Sequence, residues 1–185
     1  MGAFIYSKYN LIEKEKAALE ERNIFQIMIN SLSEKRYKFE IRVPNDMYLR
    51  AQVLCDDIDQ LCDSEKVFPQ RDLVEHIFLD FLDEVRKNDS NVGAIYNRVT
   101  VRTQELPLVK DQPIIPTRST TLVSTRIDKE DALRAEVLLE DLSYFFPKHE
   151  LTVEKLIEIV YLDFLLEYMK GRRKNVIADI LEYVS

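Results

Sequence analysis

LRAQVLCDDI at residues 49–58 returns as LRAEVLLEDL at residues 133–142, at a spacing of 84 positions. Farther along, HIFLDFLDE at residues 76–84 matches IVYLDFLLE at residues 159–167 at a spacing of 83. One residue has therefore been lost between the two matching stretches. A match that continues through two apolar segments, with its only gap between them, indicates a duplicated supersecondary unit.

Each copy begins with a segment in which apolar and polar residues alternate. YKFEIRV at residues 37–43 and TLVSTRI at residues 121–127 both have this period of two, which is typical of a strand with one buried face. Pro44 in the first copy and Asp128 in the second then supply a break or a cap. Apolar residues at helical spacing follow, so each copy is predicted to be a strand and two helices.

This pattern predicts a mainly α protein with short β-strands, of the α+β class. Residues 11–32 and the last residues of the chain carry further amphipathic helical patterns. The predicted organisation is an N-terminal helical extension at 1–36, a first unit at 37–88, a linker at 89–119, a second unit at 120–170 and a C-terminal helix at 171–185.

The linker contains one glycine and three prolines, which are typical of loops. Within it, NRVTVRT at residues 97–103 alternates polar and apolar residues. We expect an extended segment here, either a structural strand or half of a hairpin. Its polar face would carry Arg98, Thr100 and Arg102.

The chain has 185 residues, 46% of them hydrophobic and 32% charged, which is ordinary for a folded soluble protein. Its net charge of −7 argues against nonspecific polyanion binding over the whole surface, although a local basic stripe remains compatible with it. No apolar run approaches the roughly 20 residues that span a bilayer, and the first residues do not resemble a secretory signal. We expect a cytoplasmic protein without a membrane segment.

The sequence offers little for enzymatic or metal chemistry. Cys55 and Cys62 lie on one predicted helix about 10 Å apart, too far to form a disulfide. Their counterparts in the second copy, Leu139 and Phe146, indicate apolar positions. The chain has only three glycines and lacks a glycine-rich phosphate loop, a CxxC motif and an HExxH motif. We therefore expect neither an enzyme nor a bound cofactor or metal.

A strand, a capped break and two helices within about 50 residues resemble the ribbon-helix-helix family, the Arc and MetJ type of repressor. The resemblance covers both copies, about 100 of the 185 residues. It implies that two units pair their strands antiparallel and interlock their helices, as two chains normally do in the family. Here one chain would form a tandem pseudo-dimer.

The resemblance also implies a function and a binding site. The ribbon of this family enters the major groove of double-stranded DNA, where outward side chains contact base edges. The corresponding residues here are Lys38, Glu40, Arg42, Leu122, Ser124 and Arg126. Phosphates would lie at the start of the second helix of each unit, near Gln70, Arg71, Thr152 and Val153. If residues 97–103 replaced the second strand, the base contacts would come from Arg98, Thr100 and Arg102.

On this resemblance the chain is a sequence-specific DNA-binding protein, a transcriptional repressor or a regulator at a plasmid or phage locus. Because the six ribbon residues differ between the copies, its DNA site would be asymmetric. The alternative is that the strands only close a helical core, and that the chain is an adaptor or inhibitor. It would then bind a protein partner through acidic and apolar helices, or self-associate through the N-terminal helix.

Overall fold

The computed structural model describes residues 4–21, 35–62, 67–87, 92–105 and 119–184. These residues form a mainly helical structure with a two-stranded antiparallel sheet, so the predicted α+β class is confirmed. The elements of the first half are α1 (Leu11–Glu21), β1 (Arg36–Pro44), α2 (Asn45–Leu61), α3 (Gln70–Lys87) and α4 (Val92–Glu105). Those of the second half are β2 (Thr120–Asp128), α5 (Lys129–Phe145), α6 (Val153–Met169) and α7 (Val176–Val184).

The two strands pair symmetrically about one central residue pair. Arg36 lies opposite Asp128 at one end of the ribbon, and Glu40 lies opposite Ser124 at its centre. Glu40 and Ser124 are themselves 84 positions apart, which is the spacing of the duplication. Each residue pair at one end of the ribbon therefore consists of the repeat equivalents of a pair at the other end.

Backbone hydrogen bonds join the start of α2 and the start of α5 to the residue that precedes the opposite strand. The amide of Asn45 donates to the carbonyl of Ser119 at 3.1 Å, and the amide of Lys129 donates to the carbonyl of Lys35 at 2.8 Å. Both donors and both acceptors are related by the same spacing of 84 positions. The ends of the ribbon are thus held in the same way in both copies.

The inner face of the ribbon is part of the core. Helix α3 packs on β2, helix α6 packs on β1, and the two helices pack against each other. The second helix of each copy therefore covers the strand of the other copy, so neither copy can bury its strand alone. The buried residues of this inner face are Tyr37, Phe39, Ile41, Val43, Val123, Thr125 and Ile127.

The predicted strand at residues 97–103 was wrong, because the chain is helical from Val92 to Glu105. Ile95 and Val99 are buried one helical turn apart, and the ring of Tyr96 stacks on Phe146 with centroids 3.7 Å apart. Packing against α5 and α6 therefore outweighs the β propensity of valine and threonine. This segment cannot supply a ribbon strand, which removes Arg98, Thr100 and Arg102 as alternative base-contacting residues.

The two terminal helices cover the first helix of each copy. Helix α1 packs on α5, and α7 packs on α2. The contact with α1 is polar at its centre, where the buried carboxylate of Glu136 accepts hydrogen bonds from the hydroxyl of Ser7 and, at 2.9 Å, from the amide of Ile12. Within the described residues the predicted N-terminal helix runs from Leu11 to Glu21, and the apolar stretch at 24–29 lies outside them.

His76 on α3 gives the fold a pH dependence. Its buried ring lies 4.3 Å from the ring of Tyr183 on α7, and burial lowers its pKa although Asp80 and Asp179 act in the opposite direction. His76 in the folded chain thus binds a proton less readily than in the unfolded chain. The contribution of the neutral ring to the free energy of unfolding is therefore fully present above the ordinary pKa of 6.5 and decreases as the pH falls below it.

We expect His76→Leu to remove this part of the pH dependence, since the repeat places Ile159 at the equivalent position. The measurement is the free energy of unfolding in urea, about one pH unit above and below 6.5, for both proteins. The natural chain should lose more stability on acidification than the variant. Equal losses in the two proteins would contradict the assignment.

Candidate nucleic-acid interface

The outward face of the ribbon carries all six residues that were expected to contact bases. The alternation of the two strands turns them away from the helices, and each is exposed or half-buried. The register groups them into three facing pairs across the ribbon. These pairs are Lys38 with Arg126, Glu40 with Ser124, and Arg42 with Leu122.

The centre of this face is a negatively charged acceptor. The ammonium of Lys38 lies 2.7 Å from Oε1 of Glu40, and the hydroxyl of Ser124 donates to the same oxygen at 3.3 Å. The bond from Lys38 is the largest cause that lowers the pKa of Glu40. Glu40 is therefore a carboxylate at neutral pH, in the middle of the exposed face.

Arg42 and Arg126 lie on either side of this carboxylate. Four strand positions separate their levels along the ribbon, which corresponds to roughly 13 Å. Within the part of the chain that the structure describes, neither guanidinium forms a hydrogen bond or an ion pair. Both therefore present their planar sets of N–H donors to solvent, the arrangement that recognises guanine or phosphate.

A polar cleft of about 600 Å³ opens between one end of the ribbon and the start of α3. Arg36 forms one wall, paired with Glu75 and, at 2.9 Å, with Asp128. The guanidinium of Arg71 is exposed at the first turn of α3 and pairs with the neighbouring Asp72 at 3.3 Å. Cations outnumber carboxylates in the cleft, whose lining comprises Arg36, Lys38, Arg71, Asp72, Glu75, Ser124, Thr125 and Arg126.

The opposite end of the ribbon is different, because the start of α6 is already occupied. The amide of Val153 donates to the carbonyl of Tyr6 at 2.8 Å, and the carboxylate of Glu158 accepts from the amide of Arg42 at 3.2 Å. Thr152 caps the helix, since its hydroxyl accepts a hydrogen bond from the amide of Lys155 at 3.3 Å. The expected phosphate contact at Val153 is not available in this structure, since its donor has a partner and a carboxylate lies nearby.

The remaining phosphate candidates also differ from one another. The side chain of Gln70 is buried, donates to the carbonyl of Tyr48 at 2.9 Å and accepts from the hydroxyl of Tyr161 at 3.4 Å. It therefore joins the two copies within the core. Of the four residues expected near phosphates, Arg71 offers an exposed cation.

Comparison with protein-family models, with curated protein sequences and with solved structures returned no similar protein. The geometry of the ribbon and its surroundings is therefore the basis for any functional conclusion.

Arg36 is the residue of this surface that the sequence prediction missed, since it was placed in the N-terminal extension. The repeat contained the signal that could have found it. Thr120, its equivalent at a spacing of 84 positions, was included in the second unit. The alternation of polar residues in β1 likewise extends back from Lys38 to Arg36.

Other chemistries find no support in the described residues. No described helix is both long enough and apolar enough to cross a membrane, and no described group of histidine, cysteine and acidic side chains could hold a metal ion. Cys55 and Cys62 are both free thiols. Burial raises the pKa of Cys55 to about 12, so this thiol stays protonated.

Glu136 holds the N-terminal segment that closes the start of α6. We expect Glu136→Ala to lower the free energy of unfolding by roughly 1–3 kcal/mol, because the amide of Ile12 and the hydroxyl of Ser7 lose a buried acceptor. Hydrogen exchange at the amide of Val153 should accelerate as Tyr6 detaches. Glu140→Ala is the control, since it removes only a partly exposed ion pair to α1. Unchanged exchange at Val153 would contradict this role.

Proposed function

We propose that this protein binds double-stranded DNA in a sequence-specific manner and regulates transcription as a tandem ribbon-helix-helix pseudo-dimer. The observation that carries the proposal is the two-stranded antiparallel ribbon, which is centred on the equivalent residues Glu40 and Ser124 and whose polar side points outward. The crossed packing of α3 on β2 and α6 on β1 supports the pseudo-dimer interpretation.

The chemistry of the outward face suits the major groove, whose width admits a two-stranded ribbon. Arg42 and Arg126 have free donors for guanine, Glu40 can accept from the N4 amino group of cytosine, and Leu122 can pack on a thymine methyl group. Leu122 is 56% exposed although apolar, which leaves it available for such a contact. A base-contacting role gives this exposed side chain a partner.

The ends of the ribbon also predict how the protein is oriented on DNA. The lining of the cleft beside α3 has more cations than carboxylates, so a phosphate there can compete with the carboxylates that pair with Arg36 and Arg71, whereas the start of α6 is closed by Tyr6 and bordered by Glu158. Phosphate contacts position a protein without specifying sequence. We therefore expect firm backbone contacts on one side of the ribbon.

Selection from a random pool of double-stranded DNA tests the proposal. Several rounds at about 150 mM salt suppress weak phosphate binding and retain specific sequences. We expect an asymmetric motif, since the two strands present different side chains to the groove. A palindromic motif would contradict the pseudo-dimer with two unlike strands. No enrichment at all would contradict DNA recognition and favour the protein-binding adaptor.

A selection with Glu40→Gln tests the role of the centre of the ribbon. The two side chains have nearly the same shape, so the fold is preserved while the negative charge is lost. We expect the preferred base to change at the centre of the motif and to stay the same at its edges. A motif that is unchanged throughout would exclude Glu40 from base contact.

A further inference from the structure

The repeated sequence includes apolar residues whose recurrence is not explained by packing in the core. Ala51 and Leu54 are buried, as are their counterparts in α5, and packing accounts for them. Leu49 and Val53 are 64% and 58% exposed. The repeat retains them as Leu133, which is half-buried against the core, and Val137, which is 42% exposed. An apolar residue that is exposed at the same position in both copies, as Val53 and Val137 are, indicates together with the exposed Leu49 a surface that buries these side chains in a complex.

In the second copy these residues line a groove between α3 and α5. The groove has a volume of about 380 Å³ and a mainly apolar lining. Its rim carries charged side chains from both helices, among them Asp141 and Arg134, which pairs with Asp131 of its own helix at 2.8 Å. The apolar lining residues are Leu82, Val85, Leu133, Val137 and Leu138.

In the first copy the equivalent residues form a ridge on α2. Leu49 and Val53 lie four positions apart, so they project from one face of the helix. Arg50 and Asp57 flank this ridge and are seven positions apart, as Arg134 and Asp141 are on α5. Within the described residues, neither Arg50 nor Asp57 forms an ion pair.

We propose that the α2 ridge of one molecule docks, antiparallel, into the α3–α5 groove of a second molecule of the same chain. Charge complementarity identifies the partner. Seven positions correspond to about 10 Å on each helix, so an antiparallel approach places Arg50 opposite Asp141 and Asp57 opposite Arg134. A parallel approach would place arginine opposite arginine.

This contact is heterologous, because it joins two different surfaces of the same molecule. Each molecule that uses its ridge still has an open groove, so further molecules add on and a linear assembly grows unless it closes into a ring. The inference concerns self-association in the absence of DNA and does not depend on the proposed function. It involves α2 and α5 instead of the N-terminal helix.

Sedimentation velocity of the full chain and two single variants tests the proposal. We expect the natural chain to self-associate as its concentration rises, and both Val53→Glu and Val137→Glu to remain monomeric. Mixed in equal amounts, the two variants should form a 1:1 dimer, since one retains the groove and the other the ridge. Circular dichroism checks that both are folded. Leu19→Glu is the control, because Leu19 is a 77% exposed residue on α1 and its replacement should leave association intact.

A charge exchange tests the orientation. Arg50→Asp should weaken association at least about tenfold, the effect of losing one interfacial charge pair, and adding Asp141→Arg should restore it. A natural chain that remains monomeric at its highest soluble concentration would overturn the proposal. So would a Val137→Glu variant that still dimerises, or a mixture without the 1:1 dimer.

Discussion

Replacing Arg42 and Arg126 together by alanine is expected to abolish sequence-specific DNA binding while leaving the midpoint of thermal unfolding nearly unchanged. Each guanidinium can form a bidentate pair with guanine that contributes about 1–3 kcal/mol to discrimination, so the double variant should lose roughly 30-fold to 10⁴-fold in specific affinity. Both side chains lie outside the core and form no ion pair with described residues. Their removal should therefore cost little stability.

The control for this experiment removes two cations elsewhere. Arg172 and Lys174 are exposed beyond the end of α6, far along the chain from the ribbon, so Arg172→Ala with Lys174→Ala makes the same change in net charge. Affinities for the selected DNA site and for an unrelated duplex are measured for both double variants at one salt concentration. If the two variants lost the same affinity, general charge and not base contact would explain the binding.

Phe39→Ala is expected to lower the free energy of unfolding by about 3–5 kcal/mol, which is a large part of the stability of most domains. Phe39 is fully buried on the inner face of β1, and its ring lies edge-on to that of Tyr9, with centroids 5.4 Å apart. Because α6 and β2 both pack around β1, the cavity would lie where the two copies meet.

Urea denaturation of the natural chain, Phe39→Ala and Lys38→Ala measures this effect. Lys38 occupies the neighbouring position of the same strand and points outward, so its truncation should change stability by less than about 0.5 kcal/mol. Equally small losses of stability in the two variants would show that the inner face of the ribbon contributes little to the core. A loss at Phe39 alone confirms that the inner face of the ribbon stabilises the two copies together.

The duplication and the alternation within each copy were enough to predict much of this structure. A repeat spacing that holds through strand and helix places equivalent elements in both halves, and a period of two assigns Lys38 and Arg126 to an outer face before any contact is known. The expectation for residues 97–103 failed because the alternating valines fit a strand pattern as well as a helix. In the helix that forms, Ile95 and Val99 are four positions apart and lie on one buried face. Contacts with α5 and α6 decided between the two.

By itself, the sequence determined the class of the fold, the two units and the polar face of the ribbon, because these depend on the local period of apolar residues. Tertiary structure alone decided that α3 and α6 cross to the strand of the other copy, that Tyr6 occupies the amide of Val153, and that Arg36 lines a cleft with Arg126. The physical reason is that such contacts join residues distant in the chain. Their free energy depends on which surfaces meet, and a periodic pattern carries no information about that.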